Sequence, residues 1–274
     1  MRGLFEKLLN AFTAILMVGV LLVLVVISTG CSRTKVTEDF FQSYQVSPGT
    51  VLEIYNPNGP VSVVGTDQEE LEITALKETY QSQSALDMVD IFIDLSDILV
   101  IETLYPNDTK KVTVSYEIKV PEDVMVSVIE CSNGDIDVNQ VRGDPLLTTS
   151  NGNINVSEVR GTISARSSNG DLTITNVDGL DYLRTSNGNI EADLLAVKEN
   201  LEIMTSNGSI NLYINPELAL ELEASTSNGE INITNLSLET TLHEQTALLG
   251  SMNGGGPLLN IATSNGSIAL AQLQ

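Results

Sequence analysis

The sequence has no tryptophan, a single histidine and two cysteines in 274 residues. A structural zinc site is excluded, because its ligands would be spaced Cys and His residues and no such group occurs. The lone histidine, His243, is interpreted as a surface residue, since acid–base catalysis needs a partner that orients the imidazole. Phosphate-binding loops and hydrolase nucleophile motifs are also missing. The sequence therefore predicts no catalytic residues, no metal ligands and no cofactor.

Basic residues are scarce as well. Thirteen Lys and Arg stand against 36 Asp and Glu, which gives a formal net charge of −23. Nucleic acid is not expected as a partner, because its phosphates would be repelled. Aromatic residues are few, with only Tyr182 and Tyr213 after residue 131. This scarcity argues against an aromatic-lined sugar cleft.

One long apolar run lies near the N-terminus. Residues 11–30 carry no charge and are long enough for about one bilayer crossing. The last three residues of this run and the next residue, Ser28-Thr29-Gly30-Cys31, resemble the lipobox of exported lipoproteins, although Ser28 stands where that family has Leu, Val or Ile. Residues 1–31 are predicted as a membrane anchor, either a lipoprotein signal with lipid on Cys31 or an uncleaved transmembrane helix. Both alternatives place residues 32–274 outside the cytoplasm, in the cell envelope.

A Ser-Asn-Gly repeat dominates the rest of the chain. The turns occupy residues 132–134, 150–152, 168–170, 186–188, 206–208, 227–229 and 264–266. Their spacings of 18, 18, 18, 20, 21 and 37 residues are typical of a solenoid, in which each unit stacks on its neighbour. Apolar residues do not recur at steps of six, so the left-handed hexapeptide helix is rejected. Right-handed winding is expected for parallel crossovers.

Side chains alternate after every turn. Apolar residues stand two positions after the glycine, at Ile136, Ile154, Leu172, Ile190, Ile210, Ile231 and Ile268. They stand again four positions after it, at Val138, Val156, Ile174, Ala192, Leu212, Ile233 and Leu270. The residue directly after the glycine is polar, at Asp135, Asn153, Asp171, Asn189, Ser209, Glu230 and Ser267. This period of two predicts a strand with one buried face.

A second strand precedes each turn. Its inward positions hold Ile129, Leu147, Ala165, Leu183, Ile203, Ala224 and Ile261. The next inward positions hold Thr149, Ser167, Thr185, Thr205, Thr226 and Thr263, and in the first repeat Cys131. Cys131 is therefore predicted as a buried free thiol in a column of small residues, and a disulfide with Cys31 is disfavoured.

The corners are predicted from their turn residues. Asn-Gly is expected to supply positive φ, and stacked asparagines are expected to hydrogen-bond along the column. Val-Xaa-Gly at residues 141–143, 159–161 and 177–179 marks the other corner. In the 37-residue interval, residues 236–256 form either a long irregular corner or a degenerate coil.

Residues 46–131 are β-rich but less regular. Asn58-Gly59, between two apolar runs, is interpreted as the turn of a diverged first coil, and residues 82–88 as a short helical turn. This segment is predicted as an N-terminal cap that covers the open end of the solenoid, with residues 32–45 as a tether. The predicted fold class is all-β: a single-stranded parallel β-solenoid of two-strand coils of 18–21 residues at 132–274, with this cap.

Tyr55-Asn56-Pro57-Asn58-Gly59, a strand-rich middle ending in Val120-Pro121, and tandem Ser-Asn-Gly repeats resemble the putative-adhesin family of bacterial and archaeal envelope proteins. The resemblance covers residues 46–274. It implies a β-solenoid domain of unknown function and carries no catalytic residues over to this chain.

Three functional hypotheses follow. The first is a non-enzymatic envelope protein that displays a rigid acidic solenoid for adhesion or for interaction with a protein or surface. The second is a β-helix carbohydrate-active enzyme, a lyase or hydrolase, using Arg166 and Arg184 with Asp135, Asp137 and Asp171. The third is a signalling or structural envelope component that binds neighbouring proteins. Calcium is a weaker possibility, because the columns Asp135/Asn153/Asp171 and Asp137/Asn155 offer oxygen ligands that diverge instead of converging.

Overall fold

The computed structural model describes residues 34–106 and 111–274. The predicted membrane anchor, residues 1–31 with Cys31, lies outside the described residues. Within them the chain forms strands throughout and one four-residue helix, α1 Gln83–Leu86, which confirms the helical turn expected at 82–88. No helix in these two ranges has the length and apolar character needed to span a membrane. The all-β prediction is confirmed.

The alternating sequence produces one continuous hydrogen-bonded sheet. The strands before the repeats are β1 Val36–Gln45, β2 Val51–Asn58, β3 Val61–Thr66, β4 Glu70–Thr79, β5 Asp90–Leu95, β6 Ile98–Leu104 and β7 Val112–Pro121. Next come β8 Met125–Asn133, β9 Ile136–Asn139, β10 Leu146–Thr148, β11 Ile154–Arg166, β12 Leu172–Arg184, β13 Ile190–Leu194 and β14 Leu201–Asn207. The last are β15 Ile210–Ile214, β16 Leu220–Asn228, β17 Ile231–Thr234, β18 Glu239–His243, β19 Ala247–Met252, β20 Leu258–Asn265 and β21 Ile268–Gln272.

Equivalent positions of successive repeats lie side by side in parallel strands. After the turn, Ile136 pairs with Ile154, Ile154 with Leu172, and Leu172 with Ile190. Before the turn, β8, β10 and the second halves of β11 and β12 pair in the same register. The predicted inward positions are buried, apart from Ile233 of β17, which is half-buried. Stacking therefore builds one core from side chains that a single repeat could not bury alone.

The last coil in the sequence is not the last coil of the stack. β20 lies between β14 and β16, and β21 lies between β15 and β17, all in parallel. The preceding residues form an antiparallel hairpin, in which β19 pairs with β16 and β18 pairs with β19. Both expectations for the 37-residue interval, an irregular corner or a degenerate coil, were therefore wrong. The hairpin covers the edge of β16 that a further coil would otherwise occupy.

The N-terminal end has the same arrangement. β2 lies between β6 and β8, and β3 lies between β7 and β9, so the coil around Asn58-Gly59 sits one layer inside the end. Its identification as a diverged coil is confirmed. Antiparallel strands extend the outer layer: β5 pairs with β6, and β4 pairs with β7.

Residues 36–45 are not a tether. They form β1, which pairs antiparallel with β4 over its full length, from Val36 opposite Thr79 to Gln45 opposite Glu70. The reason is a short alternating pattern in which Phe40 and Tyr44 turn toward the core. The prediction of a tether at 32–45 was wrong for these ten residues.

Candidate interaction surfaces

The Ser-Asn-Gly turns are joined by a ladder of asparagine side chains. Each Nδ2 donates to the Oδ1 of the asparagine in the adjoining coil, at 2.8–3.0 Å. The spatial order of the ladder is Asn133, Asn151, Asn169, Asn187, Asn207, Asn265 and Asn228. The predicted hydrogen bonding along the column is confirmed, and it uses amides that would otherwise be free for a ligand.

The column of small residues beside the turns forms a second ladder. Each hydroxyl donates to the carbonyl oxygen of a turn glycine in the adjoining coil, for example Thr149 to Gly134 at 3.1 Å and Ser167 to Gly152 at 2.9 Å. Thr185, Thr205, Thr226 and Thr263 make the same bond. These hydroxyls are buried and partnered, so they build the corner and are unavailable to a ligand.

Cys131 occupies this column, as predicted. It is buried and free, and its Sγ donates to the carbonyl oxygen of Gly59 at 3.1 Å. Burial raises the pKa of the Cys131 thiol to about 11. The thiol is therefore protonated at neutral pH and behaves as a small core residue instead of a nucleophile.

Glycine is required at these turns mainly because adjoining coils lie so close together, and less because the backbone needs a positive φ. Among them, positive φ occurs at Gly59 and Gly266, whereas Gly134 and Gly152 do not have it. A Cβ on Gly152 would lie 2.0 Å from the carbonyl oxygen of Gly134. The expectation that Asn-Gly supplies positive φ was therefore wrong at most turns. Only a glycine lets adjoining coils approach so closely.

The polar residues directly after the turns bond to the backbone of the adjoining coil. Oδ1 of Asp135 accepts from the backbone N–H of Asn153 at 2.7 Å, and Oδ1 of Asp171 accepts from that of Asn189 at 2.7 Å. Two residues further along the strand, Nδ2 of Asn155 donates to Oδ1 of Asp137 at 2.8 Å. Residues 34–106 and 111–274 contain no cluster of three or more His, Cys, Asp or Glu able to hold a metal ion. The oxygens proposed for calcium are thus part of the stacking.

Arg166 and Arg184 lie side by side one coil apart, as predicted. They border a shallow groove of about 470 Å³ whose other lining residues are Ser, Thr, Met and Ala. The acids of the enzyme hypothesis, Asp135, Asp137 and Asp171, belong to the strands and turns that follow the Ser-Asn-Gly corner and do not line it. Arg184 pairs instead with Glu202. The structure therefore does not bring the proposed acids and arginines together.

The second corner carries a larger surface that sequence reasoning missed. An open groove of about 780 Å³ runs along it; we call it the second-corner groove. Its floor includes the buried valines Val141 and Val159 of the Val-Xaa-Gly corners. Its charged and amide-bearing lining residues are Arg142, Arg160, Asp67, Glu122, Glu158, Asp178, Gln140 and Asn176.

Two arginines of this groove share one of its four carboxylates. Arg142 and Arg160 lie one coil apart, and both bond to Glu122, Arg160 at 2.9 Å. The hydrogen bond from Arg142, together with the positive charges of both arginines, holds the pKa of Glu122 below its ordinary value. One carboxylate is shared by two guanidinium groups, so donor capacity remains for a polar partner.

Backbone conformation repeats at the same corner. Gln140, Glu158 and Asn176 all have φ between 51° and 55°, the left-handed region that ordinary residues rarely adopt. Their 18-residue spacing was visible in the sequence, but no glycine marked them.

His243 lies on β18 of the C-terminal hairpin, where it is exposed, at the opposite end of the stack from this groove.

Comparison with known proteins decides the family. The family model described as Toastrack DUF4097 matches residues 111–271, which is more than half of the chain. The chain belongs to the Toastrack DUF4097 family. This domain has no assigned function, and it confirms the resemblance drawn from the turn motif. No curated protein matches.

Solved structures give weaker similarities. A putative cell adhesion protein from Clostridium sporogenes has 13% identity and a TM-score of 0.35, with 86% of this chain and 100% of that chain covered. A putative adhesin from Bacteroides fragilis has 12% identity and a TM-score of 0.40, with 87% and 98% covered. A putative adhesin from Parabacteroides merdae has 11% identity and a TM-score of 0.38, with 85% and 95% covered.

Proposed function

We propose that this Toastrack protein is a non-enzymatic, membrane-anchored envelope protein that presents a rigid acidic β-solenoid outside the cytoplasm for adhesion to a surface or protein. Residues 1–31 provide the anchor, through lipid on Cys31 or as an uncleaved helix. The solenoid winds right-handed, as parallel crossovers favour. A net charge of −23 keeps such a displayed domain solvated.

One observation carries this proposal. The polar columns at the Ser-Asn-Gly corner are occupied by bonds between coils, whereas the second-corner groove gathers two guanidinium groups around one carboxylate. A stiff scaffold that carries such a polar groove is suited to holding a ligand rather than transforming it. The groove lining holds no aromatic side chain, and both of its arginines are held in ion pairs with Glu122.

A binding experiment tests the proposal. The full chain, purified in mild detergent, is applied to an array of immobilised neutral polysaccharides, uronic-acid polysaccharides and extracellular proteins. We expect retention on at least one surface, and its loss in the double variant Arg142→Ala/Arg160→Ala. Arg166→Ala, which also removes an exposed guanidinium from the solenoid, is the control and should bind like wild type. Absence of binding to every surface, or equal binding by both variants, refutes the proposal.

The enzyme alternative is tested on the same polysaccharides. Release of reducing ends or of unsaturated uronic acids by wild type, and not by Arg166→Ala/Arg184→Ala, would replace the adhesion proposal with a carbohydrate-active enzyme. No carboxylate lines the Arg166–Arg184 groove, and the neighbouring Glu202 is paired with Arg184, so we expect no product.

A specific observation favours the third hypothesis, contact with neighbouring envelope proteins. Among residues 34–106 and 111–274, β5 pairs only with β6, and Phe92 and Leu95 on β5 and Leu104 on β6 are exposed. Such a sheet edge can accept a strand from another protein. Cross-linking from a Phe92→Cys variant in intact cells would identify this contact. Tyr80→Cys, at an exposed position outside β5 and β6, is the control.

A further inference from the structure

The chain contains many Asn-Gly dipeptides, a sequence with its own covalent chemistry. Glycine has no Cβ to block its backbone nitrogen, which can attack Cγ of the preceding asparagine. The side-chain nitrogen then leaves as ammonia and a cyclic succinimide forms. Water opens this ring to aspartate or isoaspartate, so the net reaction consumes one water, releases one ammonia and needs no oxidant or reductant. The reaction requires the glycine N–H to be free and the asparagine side chain to turn toward it.

Inside the stack both requirements fail. The backbone N–H of Gly152 donates to the carbonyl oxygen of Asn169 at 3.2 Å, and that of Gly170 donates to Asn187 at 3.0 Å. Gly59, Gly134, Gly188, Gly208 and Gly266 are held in the same way by the asparagine of the adjoining coil. The asparagine side chains are fixed by the ladder described above. Reaction at these turns needs local opening of the stack.

The ladder ends at Asn228. β16 is the outermost repeat strand, and no further Ser-Asn-Gly turn lies beyond its corner. Within the described residues, the N–H of Gly229 makes no hydrogen bond, and the side chain of Asn228 makes a single one, from Nδ2 to Asn265 at 3.0 Å. Asn228 is also exposed to solvent.

The remaining Asn-Gly pair is held differently. Asn253 lies in an exposed turn, where its Nδ2 donates to the carbonyl oxygens of Pro216 and Leu218, both at 2.8 Å. These two bonds use both amide hydrogens and fix the side chain away from Gly254. From this contrast we propose that Asn228 is a site of spontaneous deamidation in the folded protein. There the asparagine is converted to aspartate or isoaspartate, while the other Asn-Gly turns are protected.

The conversion has a defined structural consequence. Aspartate at position 228 presents a carboxylate to Oδ1 of Asn265, so two acceptors face each other and the last rung of the ladder is lost. Isoaspartate adds a methylene to the backbone and shifts β17 relative to β21. The outermost coil should therefore loosen first, and ageing of the protein should begin at this end of the stack.

Peptide mapping by mass spectrometry measures the site directly. The full chain in mild detergent is incubated at mildly alkaline pH, and deamidation at each Asn-Gly is followed over time. We expect Asn228 to react at least about tenfold faster than the ladder asparagines and Asn253, because the N–H of Gly229 is free in the described part of the chain, whereas reaction at the interior turns needs local opening. The same sample in denaturant should lose this selectivity and react at all Asn-Gly pairs at similar rates.

Two variants extend the test. Asn228→Gln should remove the fast-reacting site without exposing a new one. Asn265→Ser takes away the acceptor of Asn228 and should accelerate the reaction at Asn228 relative to wild type. Faster reaction at Asn253 or at any interior ladder asparagine in the folded protein overturns the proposal, and so does a folded protein in which Asn228 stays intact.

Discussion

The Sγ of Cys131 donates to the carbonyl oxygen of Gly59, 72 positions earlier in the chain, and this contact joins the diverged first coil to the first regular repeat. In the same place, Ser and Thr of the other repeats donate to the glycine carbonyl of their own neighbours. Cys131 therefore makes the hydrogen bond that Ser or Thr makes in the other repeats.

Replacement of Cys131 by serine should preserve the fold. Ser167 makes the equivalent bond at 2.9 Å, so Cys131→Ser should change the free energy of unfolding by no more than about 1 kcal/mol. Urea unfolding followed by circular dichroism measures this change. A loss of several kcal/mol would mean that sulfur packing, rather than the hydrogen bond, holds the column together.

Reactivity of the Cys131 thiol should depend strongly on pH and folding. Its pKa in the folded state is raised to about 11 from an ordinary value of 9.0, so the folded protein favours the neutral thiol. That preference stabilises the fold below about pH 9 and is lost as the pH rises through about 11. A thiol reagent should label Cys131 slowly at neutral pH and rapidly in denaturant. Rapid labelling of the folded protein would contradict its burial.

A methyl group at a turn glycine should separate adjoining coils. A Cβ in Gly152→Ala would meet the carbonyl oxygen of Gly134 at 2.0 Å, and the fold should lose about 3 kcal/mol or more. Gly179→Ala is the matched control, because its Cβ meets its nearest atom, Oγ1 of Thr162, at 3.4 Å. Thermal unfolding should show a lower midpoint for the first variant only. Equal midpoints would show that the coils can shift apart.

The carboxylate shared by Arg142 and Arg160 should titrate at unusually low pH. The pKa of Glu122 is held down by the hydrogen bond from Arg142 first and by the charges of both arginines. Its contribution to stability is present above the unfolded-state pKa and is lost as the pH falls through the folded-state value. Nuclear magnetic resonance titration, assigned with Glu122→Gln, measures the value. High salt should raise it, and an ordinary pKa at low salt would argue against the ion pairs.

Removal of the last coil should unfold more than the residues removed. Deletion of residues 258–274 takes β20 and β21 out from between two coils, so β16 and β17 lose their parallel partners. Hydrogen exchange should show loss of protection across residues 220–252, while β9 to β13 remain protected. Protection of 220–252 in the truncated chain would show that these strands can dock directly on β14 and β15.

The N-terminus of the mature protein should distinguish the two anchors. Mass spectrometry of protein from its membrane should find diacylglycerol on Cys31 if the lipobox-like sequence is processed. An intact Met1 would refute lipidation and leave the uncleaved helix as the anchor.

Much of the fold could be predicted because alternation directly specifies burial. The register after each turn placed Ile136 and Ile154 inside, the register before it placed Cys131 inside, and the structure confirms these positions. The order of coils could not be predicted, because Asn228 and Asn265 carry the same turn motif and either could stack on Asn207. The antiparallel β18–β19 hairpin decides between them, and its short strands lacked a repeat signal.

The candidate surface was harder to predict than the scaffold. Only the alternative enzyme hypothesis combined Arg166 and Arg184 with acids, and Asp135 and Asp171 are bonded to the backbone of adjoining coils. The second-corner groove depends on Glu122, which precedes the first repeat and reaches Arg160 across 38 positions. A contact between a repeat and a segment outside the repeats leaves no periodic trace in the sequence.

The position of β20 and β21 between two earlier coils also affects the timing of assembly. During synthesis the chain emerges from its N-terminus, and the coil of residues 220–234 is made before the coil on which it must rest. That end of the stack can close only after β20 and β21 have been made. A chain interrupted before them would leave β16 and β17 without their parallel partners and open to proteases.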